Sequence, residues 1–290
     1  MIELTPDMLR RLQMIELELL IEVDRICRRH DIEYQVIAGT LLGAVRSGGF
    51  IPWDDDADVA LIRPEYERFR DACMTDLDTD RFYFQDIEVT PGYRWGYGKL
   101  RRKRTLFLRE HQEHMPYGHG VFIDVFPLDV VPRSRAARTV VNFEAFLTRK
   151  MLWSEVGKIA NPPGLKRSAY SLMSRVPLEK VKAHYDAMVD RSRRSPSPWL
   201  RILTYPTPNR EYGYLRAWNE SANSISFEGV NFRSIADSND YLTFKYGKWR
   251  ELPPENQRKT HPVSRIHLLD DDEYAEVLAR IEARRAEDAR

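Results

Sequence analysis

Cysteine is nearly absent. The two present, Cys27 and Cys73, sit in stretches of helical spacing and belong to no Cys-x-x-Cys pair. That excludes a disulfide framework and a cysteine-built zinc module, and it fits a reducing compartment. Long hydrophobic runs are missing too. No stretch reaches the roughly 18 apolar residues that a membrane span needs, and the opening MIELTPDMLRR has no apolar signal core. Net charge is also lacking: 45 Lys and Arg against 44 Asp and Glu leave +1, with both signs mixed along the chain. The broad basic face of a nucleic-acid binder is therefore not expected. There is no internal repeat and no low-complexity segment. These absences point to a cytoplasmic, soluble chain with room for peripheral contact at the inner face of the membrane. At 290 residues it is long enough to bury a substantial core.

What the chain does have is concentrated between Ile37 and Leu61. Asp54, Asp55 and Asp56 are consecutive, Asp58 follows, and apolar Phe50-Ile51-Pro52-Trp53 and Val59-Ala60-Leu61 flank them. Acids packed so closely among apolar residues do not suit a solvated loop. Ala57 to Leu61 reads as a short strand, so Asp56 and Asp58 point the same way. Two like charges side by side call for a cation between them, and carboxylates suit Mg²⁺ or Mn²⁺ with phosphate oxygens completing the shell. Upstream, Ile32 to Ala38 reads as a strand, Gly39-Thr40 breaks it, and Leu41 to Arg46 reads as a short helix. A strand, a small residue, a hydroxyl and a helix N-terminus make an anion site: Gly39 lets a ligand approach, and Thr40 caps the helix or bonds a phosphate. Taken singly, each piece reads more simply as an acidic turn or an ordinary helix cap. Together, at this spacing, they point to metal-assisted phosphoryl or nucleotidyl transfer.

The run Gly-Thr-Leu-Leu-Gly-Ala-Val-Arg followed by Gly-Phe-Ile-Pro-Trp-Asp-Asp-Asp-Ala-Asp resembles the signature of the LicD family. That family includes bacterial phosphocholine transferases and is related to the fukutin-type ribitol-phosphate transferases. The resemblance implies an α/β (α+β) nucleotidyltransferase-like fold, a mixed sheet flanked by helices, in which Asp56 and Asp58 are the metal pair. It extends to Phe122 through Asp129, where Asp124 interrupts an apolar strand and is expected to complete the metal site or take the nucleophile's proton. It is looser from Phe227 to His261. Ser47 stands where many members carry His, and Lys248 where many carry an acid.

Around this centre the order of elements is legible. Thr5-Pro6-Asp7 starts a helix running to about Arg29, with Met8, Leu12, Ile15, Leu19, Val23 and Ile26 on one face and Glu16, Glu18 and Glu22 expected in solvent. A second helix opens at Arg63-Pro64. Lys99 is expected on a strand lining the cleft, its charge offered to a phosphate, with Arg46 as a second stabilising cation. Asp129 is expected to shape a turn or cap a helix, and His119 to be a loop histidine within reach of substrate. Three parts follow: a catalytic core at 1–132, a helical insertion at 133–198 ending in a loop at 195–198, and a C-terminal part at 199–290. The last is expected to fold back over the cleft and to end in an exposed, partly frayed helix from Asp270.

The resemblance implies Mg²⁺- or Mn²⁺-dependent transfer of a phosphorylated small alcohol, phosphocholine for example. The donor would be a cytidine diphosphate-activated alcohol and the acceptor a glycan or lipid-linked glycan, with no nucleic acid involved. Asp56, Asp58 and Asp124 would be the metal-binding and catalytic residues; Gly39, Thr40, Arg46 and Lys99 would bind substrate. Trp53, Trp95, Tyr97 and Trp249 are the aromatics available to a quaternary ammonium. Two alternatives use the same acids: a nucleotidyltransferase acting on a nucleoside triphosphate, and a non-catalytic nucleotide- or cation-binding homologue.

Overall fold

The computed structural model describes residues 2–194, 196–207, 209–220 and 223–290. Helix α1 (Pro6–Arg29) begins as expected, with the Thr5 hydroxyl accepting from Met8 N–H. It does not lie on the surface. It runs between the central sheet and the C-terminal helix, so Leu12, Ile15, Leu17, Leu19 and Leu20 are all fully buried. The expectation of solvated acids fails for the same reason: Glu16, Glu18 and Glu22 are all buried. Glu18 is held by Arg81, Arg102 and Arg280, and Glu22 by Arg25. Paired guanidinium groups make such burial tolerable.

After β1 (Gln35–Val36) comes α2 (Ala38–Ser47), then β2 (Asp58–Ile62) and α3 (Arg63–Asp76). The strands β3 (Phe82–Gln85), β4 (Gly98–Arg102), β5 (Leu106–Arg109) and β6 (Phe122–Val131) follow. The sheet runs β1-β2-β6-β4-β3, with β2 and β6 parallel and the other pairs antiparallel. Its register places Asp58 beside Asp124, Asp124 beside Lys99, and Lys99 beside Gln85. Cross-strand neighbours share a face, so four polar side chains form one rung across an otherwise apolar sheet. Asp129 is no turn residue. It lies within β6, fully buried, and both of its oxygens accept from Arg63 at 2.8 and 2.6 Å.

The helical block is α4 (Arg135–Leu152), α5 (Ser154–Ala160), α6 (Leu165–Met173) and α7 (Leu178–Arg193). Helix α4 turns Ala145, Thr148 and Leu152 inward and leaves Val140, Phe143, Phe146 and Leu147 exposed. Ser195, in the loop expected at 195–198, lies outside the described residues. Strand β7 (Trp199–Arg201) then pairs with the end of β6 and with β8 (Tyr214–Leu215), which extends the sheet. A hairpin, β9 (Ser224–Phe227) and β10 (Val230–Arg233), leads to α8 (Ser238–Tyr246). Strand β11 (Val263–His267) returns to pair with β5, and α9 (Asp271–Asp288) closes the chain. Helix α9 is docked rather than frayed. Arg280 reaches Glu18, Arg284 reaches Asp24, and Val277 and Ile281 are buried. Among the described residues no helix is long and apolar enough to cross a membrane.

Candidate active site

The acidic stretch becomes a loop pinned at several points. Gln13 of α1 donates to the Asp54 carbonyl at 3.0 Å, and the Glu228 carboxylate accepts from Phe50 N–H at 3.1 Å. Gly43 of α2 lies so close that an added Cβ would meet the Gly49 carbonyl at 2.4 Å. Helix α2 starts at Ala38, one turn earlier than the glycine break predicts, and its N-cap Ile37 makes no side-chain cap bond. Thr40 is therefore neither a cap nor part of the cavity wall. It is buried, and its hydroxyl accepts from Asp58 N–H at 2.8 Å, which fixes the start of β2. Gly39 also has a role beyond ligand approach: a Cβ there would stand 2.7 Å from Asp54 Oδ2. The missing side chain is what admits the Asp54 carboxylate.

Asp54, Asp56 and Asp58 share one wall of a cavity of about 630 Å³. Burial, then the charges of Asp56 and Asp55, push Asp54 up to about 8, and it shares a hydrogen bond with Asp56. Burial also raises Asp56, to about 6, against the pull of Arg109. Asp58 is raised well above the usual range by burial and by its neighbours Asp56, Asp124 and Asp54. Behind them the fully buried Glu16 is raised by burial and by the charges of Asp56, Asp55 and Asp54. Nearby cations, Arg109 and Lys99 for Asp56 and Lys245 for Asp58, offset only part of this crowding. The wall's remaining options are protons or a further cation, and its all-oxygen donors fit a hard divalent ion. Among the described residues no three acids or histidines already stand around one point.

Asp124 lies on the same face, beside Asp58, but its carboxylate is bonded to the Lys99 ammonium. Lys99 is buried, sits 3.3 Å from the Phe122 ring centroid and does not line the cavity. Burial, only partly offset by Asp124, lowers it to about 8. It is placed to orient Asp124 rather than to meet a ligand directly. Arg46 does line the cavity, beside Trp53. His119 is half-buried against Tyr117, away from the cavity, and burial pushes it down to about 4.

Several residues of the site are not visible in the sequence pattern. Lys245, at the end of α8, faces the cavity and lowers Asp58 by its charge. Asp55 does not line the cavity and is 1% exposed. It accepts from His261 N–H at 3.1 Å, lies 2.8 Å from His261 Nδ1 and pairs with Arg109 at 3.3 Å. The C-terminal segment does fold back: Tyr246, Trp249 and His261 all reach the cavity. The same cavity is lined by Trp53, Phe126, Tyr205, Tyr214, Tyr246 and Trp249, and Tyr205 and Tyr246 stand close enough to feel the charge of Asp58. Of the four aromatics named from sequence, Trp53 and Trp249 are in this lining. Tyr97 supports it, 4.8 Å from Phe126 between ring centroids, and Trp95 packs elsewhere, with Tyr93 and Tyr117.

Residues 31–150 match the family model described as LicD/FKTN/FKRP, nucleotidyltransferase domain. The lipopolysaccharide cholinephosphotransferase LicD of Haemophilus influenzae is 26% identical, over 90% of this chain and 98% of its own length. Shorter matches occur to uncharacterized proteins of Rickettsia typhi, 36% identical over 53 residues, and Rickettsia prowazekii, 38% identical over 48 residues. Each covers less than a fifth of either chain: 18% of this one and 17% of its own for the first, 17% and 18% for the second.

Proposed function

Because the chain belongs to the LicD family, and with it to the transferases of phosphorus-containing groups, we propose that it transfers phosphocholine from a cytidine diphosphate-activated donor to a glycan hydroxyl. The observation that carries this reading is the cavity itself, which is lined by the half-buried carboxylates of Asp54, Asp56 and Asp58 together with aromatic rings. Aromatic faces attract a quaternary ammonium. The acids and the cations Arg46 and Lys245 suit a metal-bound diphosphate. Asp56 and Asp58 would hold a Mg²⁺ or Mn²⁺ ion, with Asp54 beside them. Neutralising charge on the departing nucleotide phosphate is the chemistry such an ion supplies.

The chain's own residues do the rest. Thr40 fixes Asp58 through its backbone. Gly39 admits Asp54 and leaves the first turn of α2 open to a phosphate oxygen. Lys99 holds Asp124 beside Asp58, where the Asp124 carboxylate takes the proton of the acceptor hydroxyl as it attacks phosphorus. We place the reaction in the cytoplasm, at the inner membrane face for a lipid-linked acceptor. The test is a donor screen with Mg²⁺: cytidine diphosphate-choline, -ethanolamine, -glycerol and -ribitol beside nucleoside triphosphates. Release of cytidine monophosphate from the choline donor is the expected result. Release of pyrophosphate from a triphosphate would make the chain a nucleotidyltransferase instead, and no turnover of any donor would leave a binding protein.

A further inference from the structure

A second groove, of about 380 Å³, lies beside the cleft and shares Pro206 and Thr207 with it. One side is the outer edge of α4, with Phe143 and Phe146 exposed and Arg149 beside them. Arg201 of β7 lines the groove and is only 2% exposed. One of its terminal nitrogens donates to Asn142 Oδ1 at 2.7 Å, while its Nε–H is buried without a partner. Its cross-strand neighbour Asp129 has both oxygens taken by Arg63. Among the described residues neither Arg149 nor Arg201 is paired with a carboxylate. Burial, and then the like charge of Arg149, push Arg201 down to about 10.

A dry guanidinium with an unmade hydrogen bond and a second cation nearby is an unfavourable arrangement unless an anion enters. Guanidinium forks match phosphate oxygens in charge and in geometry. The exposed rings of Phe143 and Phe146 border the same opening, so an apolar chain attached to that anion would be covered as well. We infer that Arg149 and Arg201 form a phosphate-binding site separate from the donor cleft. Resting on the transferase reading above, that phosphate belongs to the acceptor, whose hydroxyl enters the cleft past Pro206 and Thr207.

The experiment is calorimetric titration of the full chain with inorganic phosphate and with hexyl phosphate, each with and without saturating cytidine diphosphate. Hexyl phosphate should bind one further equivalent when the nucleotide is present. Arg149→Gln, at a half-buried surface position, should weaken that binding by about tenfold or more and leave the nucleotide affinity unchanged. Arg201→Lys, which keeps the charge and loses the fork, should weaken it as well. Tighter binding of hexyl phosphate than of inorganic phosphate assigns the site to a chain-bearing phosphate; equal binding assigns it to free phosphate. Displacement of the probe by the nucleotide, or equal binding by wild type and a folded Arg149→Gln, overturns the site. If cytidine diphosphate itself does not bind, the transferase reading fails, and the comparison of wild type with Arg149→Gln in its absence still decides the phosphate site.

Discussion

Gly39 and Asp54 compete for the same space. With 2.7 Å between an added Cβ and Asp54 Oδ2, Gly39→Ala must push the carboxylate off the acidic wall. Overpacking of this kind costs roughly 1–3 kcal/mol, while misplacing a catalytic group by about 1 Å costs on the order of a hundredfold in rate. The variant is therefore expected to fold, with a modest loss in a denaturant titration, and to lose about two orders of magnitude in donor turnover. Undiminished turnover would remove Asp54 from the site. Asp58 behaves differently, because it repels Asp56, Asp124 and Asp54 at once. Asp58→Ala should lose no thermal stability in metal-free buffer and should lose turnover by several orders of magnitude. Mg²⁺ at about a hundred times its Kd stabilises a native state by roughly 2.7 kcal/mol, so melting curves should show a rise in wild type and little in the variant. An equal Mg²⁺ response would make the acidic cluster purely structural.

At the scale of elements, the acidic loop is held in place from a distance. Glu228, at the tip of the β9–β10 hairpin with φ +53°, takes two bonds from Arg10 of α1, at 3.0 and 2.8 Å, besides the one from Phe50. Arg285 of α9 donates to its carbonyl at 2.7 Å. Burial works to raise the Glu228 pKa, but Arg10, Phe50 N–H and the Arg285 charge outweigh it and hold it below the ordinary value of 4.5. A carboxylate with a depressed folded pKa contributes stability that is complete above its unfolded pKa and is lost as pH falls through the folded one. Glu228→Gln should therefore cost roughly 1.5–3 kcal/mol at neutral pH, and the gap from wild type should close as the pH drops below about 4.5. A gap that stays constant across that range would mean that the clamp acts through shape and not charge.

The whole molecule is organised by its chain ends meeting at the acids. Asp55 is the tie: it joins the loop of the first half to His261 and Arg109, and beyond His261 the chain enters β11 on β5. Asp55→Ala should release the 246–261 segment from the cavity. We expect the donor KM to rise by about tenfold or more, as expected when a buried, charge-assisted set of hydrogen bonds is lost. The segment should also become sensitive to limited proteolysis, which mass spectrometry of the fragments would locate. An unchanged KM with an intact segment would show that the cavity wall stands without this tie.

The sequence alone was enough for the clustered acids, the capped first helix and the family resemblance, whereas the break placed at Gly39-Thr40 falls inside α2. The first three are local: a cap, a period of 3.6, or acids at fixed spacing need only neighbours in the chain. The register of β2, β6 and β4 is not local, and it alone makes a rung of Asp58, Asp124 and Lys99. Thr40 was legible as a hydroxyl at a helix start, but its bond to Asp58 depends on where β2 lies. The acids of α1 do not meet solvent, because helical periodicity assumes one wet face, whereas Arg280 of α9 covers Glu18, Arg25 pairs with Glu22 and Glu16 lies behind the acidic loop. Lys245, His261 and Arg201 carry no motif. Their roles come from burial and from the charges facing them, and those are set only when segments distant in sequence pack against each other.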